Sequence, residues 1–331
     1  MNTSDFDYKL PPEQIAQSPI EPRDHSKLLV LDKANKTWNH QHFYNIDRFL
    51  RPGDLLVINE SKVFKARLSA NINNTTVEIF LLRPEDDLWI ALGKPGKKIK
   101  PNTEIHFQDG LSATIIKKND QDGTILIDFK VPANEIFSWT DKIGSVPTPP
   151  YVVASEQNDA AYQTVYAKQI GSVAAPTAGF HFTPELIQKL KKQGINFTNI
   201  TLHVGLGTFR PMKNELIEQH VMHKEWINVP DKTIHDIKQT RAHGGRVIAV
   251  GTTTVRALES KIQQGLTDIF ITPGYTFKNI DGLITNFHLP KSTLLVLVSS
   301  FAGRDFILNA YAEAIKEKYR FYSFGDAMLI I

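Results

Sequence analysis

The chain has 331 residues, 41% hydrophobic and 22% charged, with a formal net charge of +3 and no cysteine. Such a length suggests two domains and an ordinary core that needs no covalent staples. The lack of cysteine excludes disulfides, thiolate catalysis and cysteine-held zinc or iron–sulfur sites, while the small positive charge permits a nucleic-acid partner without marking a strongly basic binder.

The opening MNTSDFDYKLPPEQ is acidic and polar, without the basic and apolar regions of a signal peptide. LLVLVSSF near residue 300 is far too short to span a bilayer, which takes about 20 apolar residues. A cytoplasmic protein is expected. LLVLDK (28–33) and DLLVINE (54–60) read as strands. Residues 75–131 alternate apolar and polar in short runs, separated by turn signals at Pro95-Gly96, Asp109-Gly110 and Asp122-Gly123. That pattern predicts a small antiparallel barrel or sandwich, with the proline-rich VPTPPY (146–151) as its exit linker.

From about residue 158 helices alternate with strands. Thr183-Pro184-Glu185 supplies a cap, a proline at the first helical position and an early acid, and Gly194 ends that helix. Asp231 is placed to cap a helix that stops at Gly244-Gly245. RVIAVG (246–251) reads as a strand, TTTVRALESKIQQG as a helix closed by Gly265, and DIFITPG (268–274) as a further strand. Asp305 is expected to cap FILNAYAEAIKEKY, and DAMLII to be the last strand. The fold class is therefore α/β: a mixed-sheet domain of residues 1–68 and 151–331, with an inserted small antiparallel β-barrel domain of residues 69–150. A monomer is expected, because no heptad or long exposed apolar edge is evident.

Four polar, glycine-rich segments stand beside apolar strands in the second half: SVAAPTAGFHFT (172–183), TLHVGLGTFRP (201–211), VGTTTVRALE (250–259) and TNFHLPKST (285–293). Loops at the carboxyl ends of strands in an open sheet are where ligands bind. VGTTTVRALE begins a helix, whose free N–H groups attract carboxylates or phosphates; the plainer reading is capping by Thr252 or Thr253. It lacks the spacing of a P-loop. In the second segment Gly205 and Gly207 let the backbone approach a ligand. His181, His203 and His288 each lie in one of these loops, and imidazole suits proton transfer near neutral pH. The H-x-x-H of His220 and His223 raises a metal reading, but no H-E-x-x-H and no aspartate cluster supports it, so no metal is expected. Lysines gather in GKPGKKIKP (93–101), where Lys94, Lys97, Lys98 and Lys100 are candidates for a phosphate-backbone contact.

These segments together resemble the S-adenosylmethionine:tRNA ribosyltransferase-isomerase family of queuosine biosynthesis. The resemblance covers nearly the whole chain, from FDYKLPPEQIAQSPIEPRDHSKLLVLD (6–32) and PGDLLVINESKVFKARL (52–68) through YQTVYA (162–167) and the four polar segments to YRFYSFGDAMLI (319–330). NESKV stands where the family usually has Asn-Asp-Thr-Lys/Arg-Val, and Phe180 stands where leucine is usual. The resemblance implies a pentosyltransferase that uses S-adenosylmethionine as a consumed ribosyl donor, with no metal or redox cofactor. The implied acceptor is 7-aminomethyl-7-deazaguanine in the wobble position of tRNA, and the implied products are epoxyqueuosine-tRNA, adenine and methionine. The chemistry it implies removes a proton beside the sulfonium, expels adenine, admits the acceptor's amine and releases methionine as the epoxide forms.

On that resemblance His181, His203 and His288 are candidates for the proton transfers. Thr252, Thr253 and Arg256 are candidates to hold the methionine carboxylate at a helix start. Asn286, Ser292 and Thr293 would bind ribose hydroxyls or the base, and Asp326 would neutralise a cation. Thr177, Gly179, Phe182, Gly205, Gly207 and Thr208 complete the expected substrate-binding set. A metal-dependent hydrolase built on the histidines and a non-catalytic tRNA-binding protein built on the lysines are the readings from other classes.

Overall fold

The structure is a computed structural model that describes residues 1–149, 151–153, 159, 161–205 and 211–331. In the first part of the chain the strands are β1 (Lys27–Asp32), β2 (Thr37–His42), β3 (Leu55–Asn59) and β4 (Ser61–Val63). There follow β5 (Arg67–Ile72), β6 (Thr75–Glu85), β7 (Leu88–Lys94), β8 (Glu104–Phe107), β9 (Ser112–Lys118), β10 (Thr124–Asp128), helix α1 (Ile136–Ile143) and β11 (Gly144–Ser145). The second part holds β12 (Gln169–Ser172), α2 (Pro184–Lys192), β13 (Asn196–Leu202), β14 (Glu225–Asn228), α3 (Asp231–Ala242), β15 (Val247–Val250), α4 (Thr252–Glu259) and β16 (Gln264–Thr267). It ends with β17 (Gly282–Asn286), α5 (Thr293–Ala302), α6 (Arg304–Lys316) and β18 (Ala327–Ile330).

Two sheets divide these strands. A mixed nine-stranded sheet runs β16-β14-β13-β3-β15-β17-β18-β1-β2, with β13, β3, β15 and β17 mutually parallel. Its central strands are apolar on both faces. Leu29, Leu31, Val247 and Ala249 face one core with α4, α5 and α6, while Leu28, Val30, Ile248 and Val250 face a second core with α2. Side chains alternate along a strand, so a run such as LLVL is continuous because both faces are covered. The second sheet is antiparallel: β5-β6-β7-β10-β9-β8, closed by pairing of β8 with β5. Its interior is filled by Leu68, Ile79, Leu81, Trp89, Ile105 and Ile127. The chain is thus α/β with a small closed antiparallel barrel.

Several local expectations meet a different outcome. Thr183 does cap α2, accepting from Leu186 N at 3.2 Å, with Pro184 at the first helical position and Gly194 beyond the end at φ +82°. Asp231, however, is the first helical residue and follows Pro230, and its carboxylate accepts from Gln263 instead. The helix after Gly251 stops at Glu259 rather than running to Gly265. Glu259 is buried there and accepts from the backbone N–H groups of Lys278 and Asn279 and from the Tyr275 hydroxyl, which holds the end of α4 against that loop. Gly265 lies inside β16, which takes the place of a strand at 268–274; Ile271 enters the core from a loop. Asp305 is exposed and pairs with Arg304, and Gly303 is the residue that precedes α6. Of the proline-rich stretch, Pro150 lies outside the described residues. Among the described residues no single helix is long and apolar enough to cross a membrane.

Candidate active site

β13, β15 and β17 are parallel or joined through β3, so their carboxyl ends emerge on one edge of the sheet. A cavity with about 590 Å³ of empty space, part of it open to solvent, lies there. Its walls come from Val204 beyond β13, from Gly251, Thr252 and Thr253 beyond β15, and from Thr285, Asn286 and His288 around the end of β17. Ala175 to Ala178 form a third side, and Tyr151, Tyr322 and Ser323 a fourth.

The threonine wall follows from its backbone. Gly251 has φ +93°, a conformation that side chains rarely adopt, and an added Cβ would lie 3.3 Å from Thr253 Oγ1. Gly251 is also the residue that opens α4, and no side chain caps that helix. Its first-turn N–H groups therefore stand at the cavity with the positive end of the helix dipole. Thr254 turns away and donates to Val250 O at 2.7 Å. Neither Thr252 nor Thr253 acts as a helix cap.

The end of β17 carries a buried polar network. Thr177 Oγ1 donates to Asn286 Oδ1 at 3.0 Å, Asn286 Nδ2 lies 3.1 Å from His181 Nε2, and His181 Nδ1 lies 2.7 Å from Ser26 Oγ. Burial, with the charges of Arg320 and Arg23, pushes the His181 imidazole down to about 3. It is neutral near pH 7 and sits behind Asn286 rather than on the wall. His288 does line the cavity. Its Nε2 lies 2.8 Å from Thr285 Oγ1, its backbone N–H donates to the Tyr311 hydroxyl at 3.0 Å, and its carbonyl accepts from the Tyr8 hydroxyl. Burial lowers its imidazole as well, so it too is a neutral base near pH 7. Ser292 also reaches the wall, but its hydroxyl is already used: it donates to Leu289 O at 2.7 Å and accepts from Leu295 N at 3.2 Å, capping α5.

The aromatic wall is built on an unusual backbone. Tyr322 has φ +71°, whereas the other positive-φ residues that are not glycine are lysines, asparagines and aspartates. That conformation costs an L-residue about 1–2 kcal/mol. It is held by Tyr322 N donating to Phe287 O at 3.1 Å and by Asp326, which accepts from Arg320 N at 2.7 Å and Lys27 N at 2.9 Å. The Tyr322 and Tyr151 rings pack with centroids 4.8 Å apart.

The remaining candidates lie elsewhere. His203 is stacked on Trp226 with its Nδ1 2.7 Å from Ser61 Oγ, and burial lowers it to about 4. Arg256 is buried and ion-paired with Glu225, which also accepts from Gly205 N at 2.9 Å. Asp326 spends its carboxylate on the turn just described, and burial raises it against those bonds. Gly179 is packed so closely that an added Cβ would overlap the Tyr166 hydroxyl. Phe182 is a core residue between Phe43 and Phe197, and Thr293 is the first residue of α5. Gly207 and Thr208 lie outside the described residues. Lys94, Lys97, Lys98 and Lys100 are all exposed on the barrel, far along the chain from the cavity walls. Among the described residues no three His, Asp or Glu side chains converge as a metal-ligand set; His220 packs on Phe270 instead.

The family model of the queuosine biosynthesis protein matches residues 3–330. The chain belongs to that family. Among the relatives of this queuosine biosynthesis family is the S-adenosylmethionine:tRNA ribosyltransferase-isomerase of Thermotoga maritima, 50% identical with the whole of both chains covered. The protein of the same name from Moorella thermoacetica is 49% identical, again over the whole of both chains. A crystal structure of S-adenosylmethionine tRNA ribosyltransferase from Thermotoga maritima matches with a TM-score of 0.58 and 42% identity, covering 99% of this chain and 100% of that one.

Reading of the sequence missed Tyr322, Ser323, Thr285 and Ser26 within the family motifs, and Tyr151 at the end of the proline-rich stretch. Tyr322 and Ser323 belong to YRFYSFGDAMLI, where the conspicuous residue is the charged Asp326. The signal for Ser26 lay in DHSKLL, and nothing in the spacing reveals that it meets His181 across 155 residues.

Proposed function

We propose that this protein transfers and isomerises the ribosyl group of S-adenosylmethionine onto 7-aminomethyl-7-deazaguanine in tRNA, giving epoxyqueuosine-tRNA, adenine and methionine. S-adenosylmethionine is the consumed donor, and the reaction asks for no metal or redox cofactor. The observation that carries the reading is one cavity, at the carboxyl ends of the parallel strands, lined by the family's threonine and TNFHLPKS segments. Similarity to proteins of that activity over their whole length supports it.

The cavity suggests a division of labour. The uncapped start of α4, with Thr252 and Thr253, suits the methionine carboxylate, because free N–H groups and the helix dipole attract an anion. Arg256 acts indirectly: its guanidinium holds Glu225, and Glu225 holds the backbone at Gly205. His288 is the imidazole on the wall, and its position suits it to take the proton from the carbon beside the sulfonium, although burial weakens it as a base. Adenine then departs with the C–N bond's electron pair and gains a proton. The acceptor's amine forms the new bond, and the sulfonium leaves as methionine when the epoxide closes. The positive charge and exposure of Lys94, Lys97, Lys98 and Lys100 on the barrel support a contact with tRNA phosphates.

The test uses S-adenosylmethionine labelled with ¹³C in the ribose and tRNA carrying the aminomethyl base. Five labelled carbons in the digested tRNA nucleoside are expected. Binding of the tRNA with no label transferred would replace the reading with a binding role.

A further inference from the structure

Asn59 ends β3, between β13 and β15, and is fully buried. Its carboxamide offers two N–H donors and two oxygen lone pairs, and all four are used. Oδ1 accepts from Leu202 N at 3.0 Å and from Ser61 N at 3.1 Å. Nδ2 donates to Leu202 O at 2.9 Å and to Thr253 Oγ1 at 3.4 Å. Three of those four partners are backbone groups. A backbone N–H only donates and a carbonyl only accepts, so turning the amide round would lose all three bonds. The nitrogen is therefore the atom that meets Thr253.

Thr253 takes its polarity from that contact. A hydroxyl donates one bond and accepts up to two, but towards an N–H it can only accept. Its proton remains, and among the described residues it has no acceptor, whereas Thr254 gives its own proton to Val250 O at 2.7 Å. Thr253 is 7% exposed and lines the cavity. Its Oγ1 lies at the start of α4, 3.3 Å from where a Cβ on Gly251 would stand, and Gly251 lines the cavity too. The complement of such an O–H is a lone pair on the ligand. An anionic oxygen is the strongest partner, and the open N–H groups of the same helix turn attract the same charge.

We propose that Asn59 is a positioning residue that fixes Thr253 as a hydrogen-bond donor to the carboxylate of the sulfonium substrate. This rests on the start of α4 being the carboxylate site. Asn59 belongs to NESKV, stands behind the cavity wall and acts through Thr253 without touching the ligand.

The experiment measures binding of S-adenosylmethionine and of its decarboxylated analogue to the full chain by titration calorimetry. The analogue keeps the adenosine, the sulfonium and the amine. The wild-type protein should prefer the ligand with the carboxylate. Thr253→Val should shrink that ratio by about tenfold, the weight of one hydrogen bond to a charged group, and Thr253→Ser should preserve it. Asn59→Leu should shrink it by about fivefold, the weight of the neutral bond that orients the hydroxyl. The double variant Asn59→Leu/Thr253→Val should fall no lower than Thr253→Val alone, because Asn59 acts through that hydroxyl. A merely structural role would weaken both ligands together and leave the ratio intact. An undiminished ratio in Asn59→Leu, or a further fall in the double variant, overturns the proposal. Should Asn59→Leu not fold, equal ratios in Thr253→Val and Thr253→Ser overturn it as well. Equal binding of the two ligands by the wild type overturns the placement of the carboxylate, and this inference falls with it.

Discussion

His181 and His288 share a lowered imidazole and differ in what they face. His288 meets the cavity, so His288→Ala should slow adenine release by about 10²–10⁴-fold, the usual contribution of a positioned general base. His203→Ala should cost less, because that ring faces Ser61 and Trp226. Single-turnover rates of the two alanine variants check the order. His181 makes a separate prediction about stability. The folded protein holds it at about 3, against an ordinary 6.5, so the unfolded chain takes up its proton first as pH falls. The stability from the neutral ring is fully present above about pH 6.5 and declines as pH falls towards 3, by about 1.4 kcal/mol per pH unit. Urea midpoints at pH 7.5 and 5.5 should therefore converge in His181→Gln relative to wild type; an unchanged difference would refute the assignment.

Arg256 and Glu225 tie α4 to β14 through a buried ion pair, and Glu225 extends the tie to Gly205. Removing one partner strands the other charge. Arg256→Met should destabilise the fold by about 3–5 kcal/mol in chemical denaturation, with part of the loss recovered on adding Glu225→Gln. This pairing was not legible in the sequence, because 31 residues separate the partners and a lone arginine after three threonines reads as an anion ligand. The start of α4 was legible as a strand, a glycine and a helix; its end was not. Glu259 stops the helix by accepting from a loop about 20 residues further on, and no local breaker marks the place. Where caps are local, as with Thr183, Pro184 and Gly194, the helix could be read directly.

The barrel and the mixed sheet were legible because their patterns differ: alternation with turn pairs in one, continuous apolar runs with intervening helices in the other. The outlying strands β2, at one edge, and β14, next to the other, were not, since Thr37–His42 is almost wholly exposed and Glu225–Asn228 is only four residues long. The cavity could be anticipated in part. Threonine and TNFHLPKST segments announce themselves by polarity beside apolar strands, whereas Tyr151 and Tyr322 look like core aromatics until a positive φ turns one of them to the wall. The division of the chain also yields a prediction. Replacing Lys94, Lys97, Lys98 and Lys100 with alanine should weaken tRNA binding and flatten its salt dependence, by about one unit of slope for each phosphate the lysines neutralise, while S-adenosylmethionine binding stays unchanged. Filter binding across a salt series would show an unaltered slope if the barrel lysines play no part.

The most direct measurement is free adenine, followed by chromatography, after mixing the protein with S-adenosylmethionine and tRNA that carries the aminomethyl-deazaguanine base. Adenine should accumulate with that tRNA and should not form with tRNA bearing unmodified guanine. Folded protein that binds both substrates and releases no adenine would contradict the account.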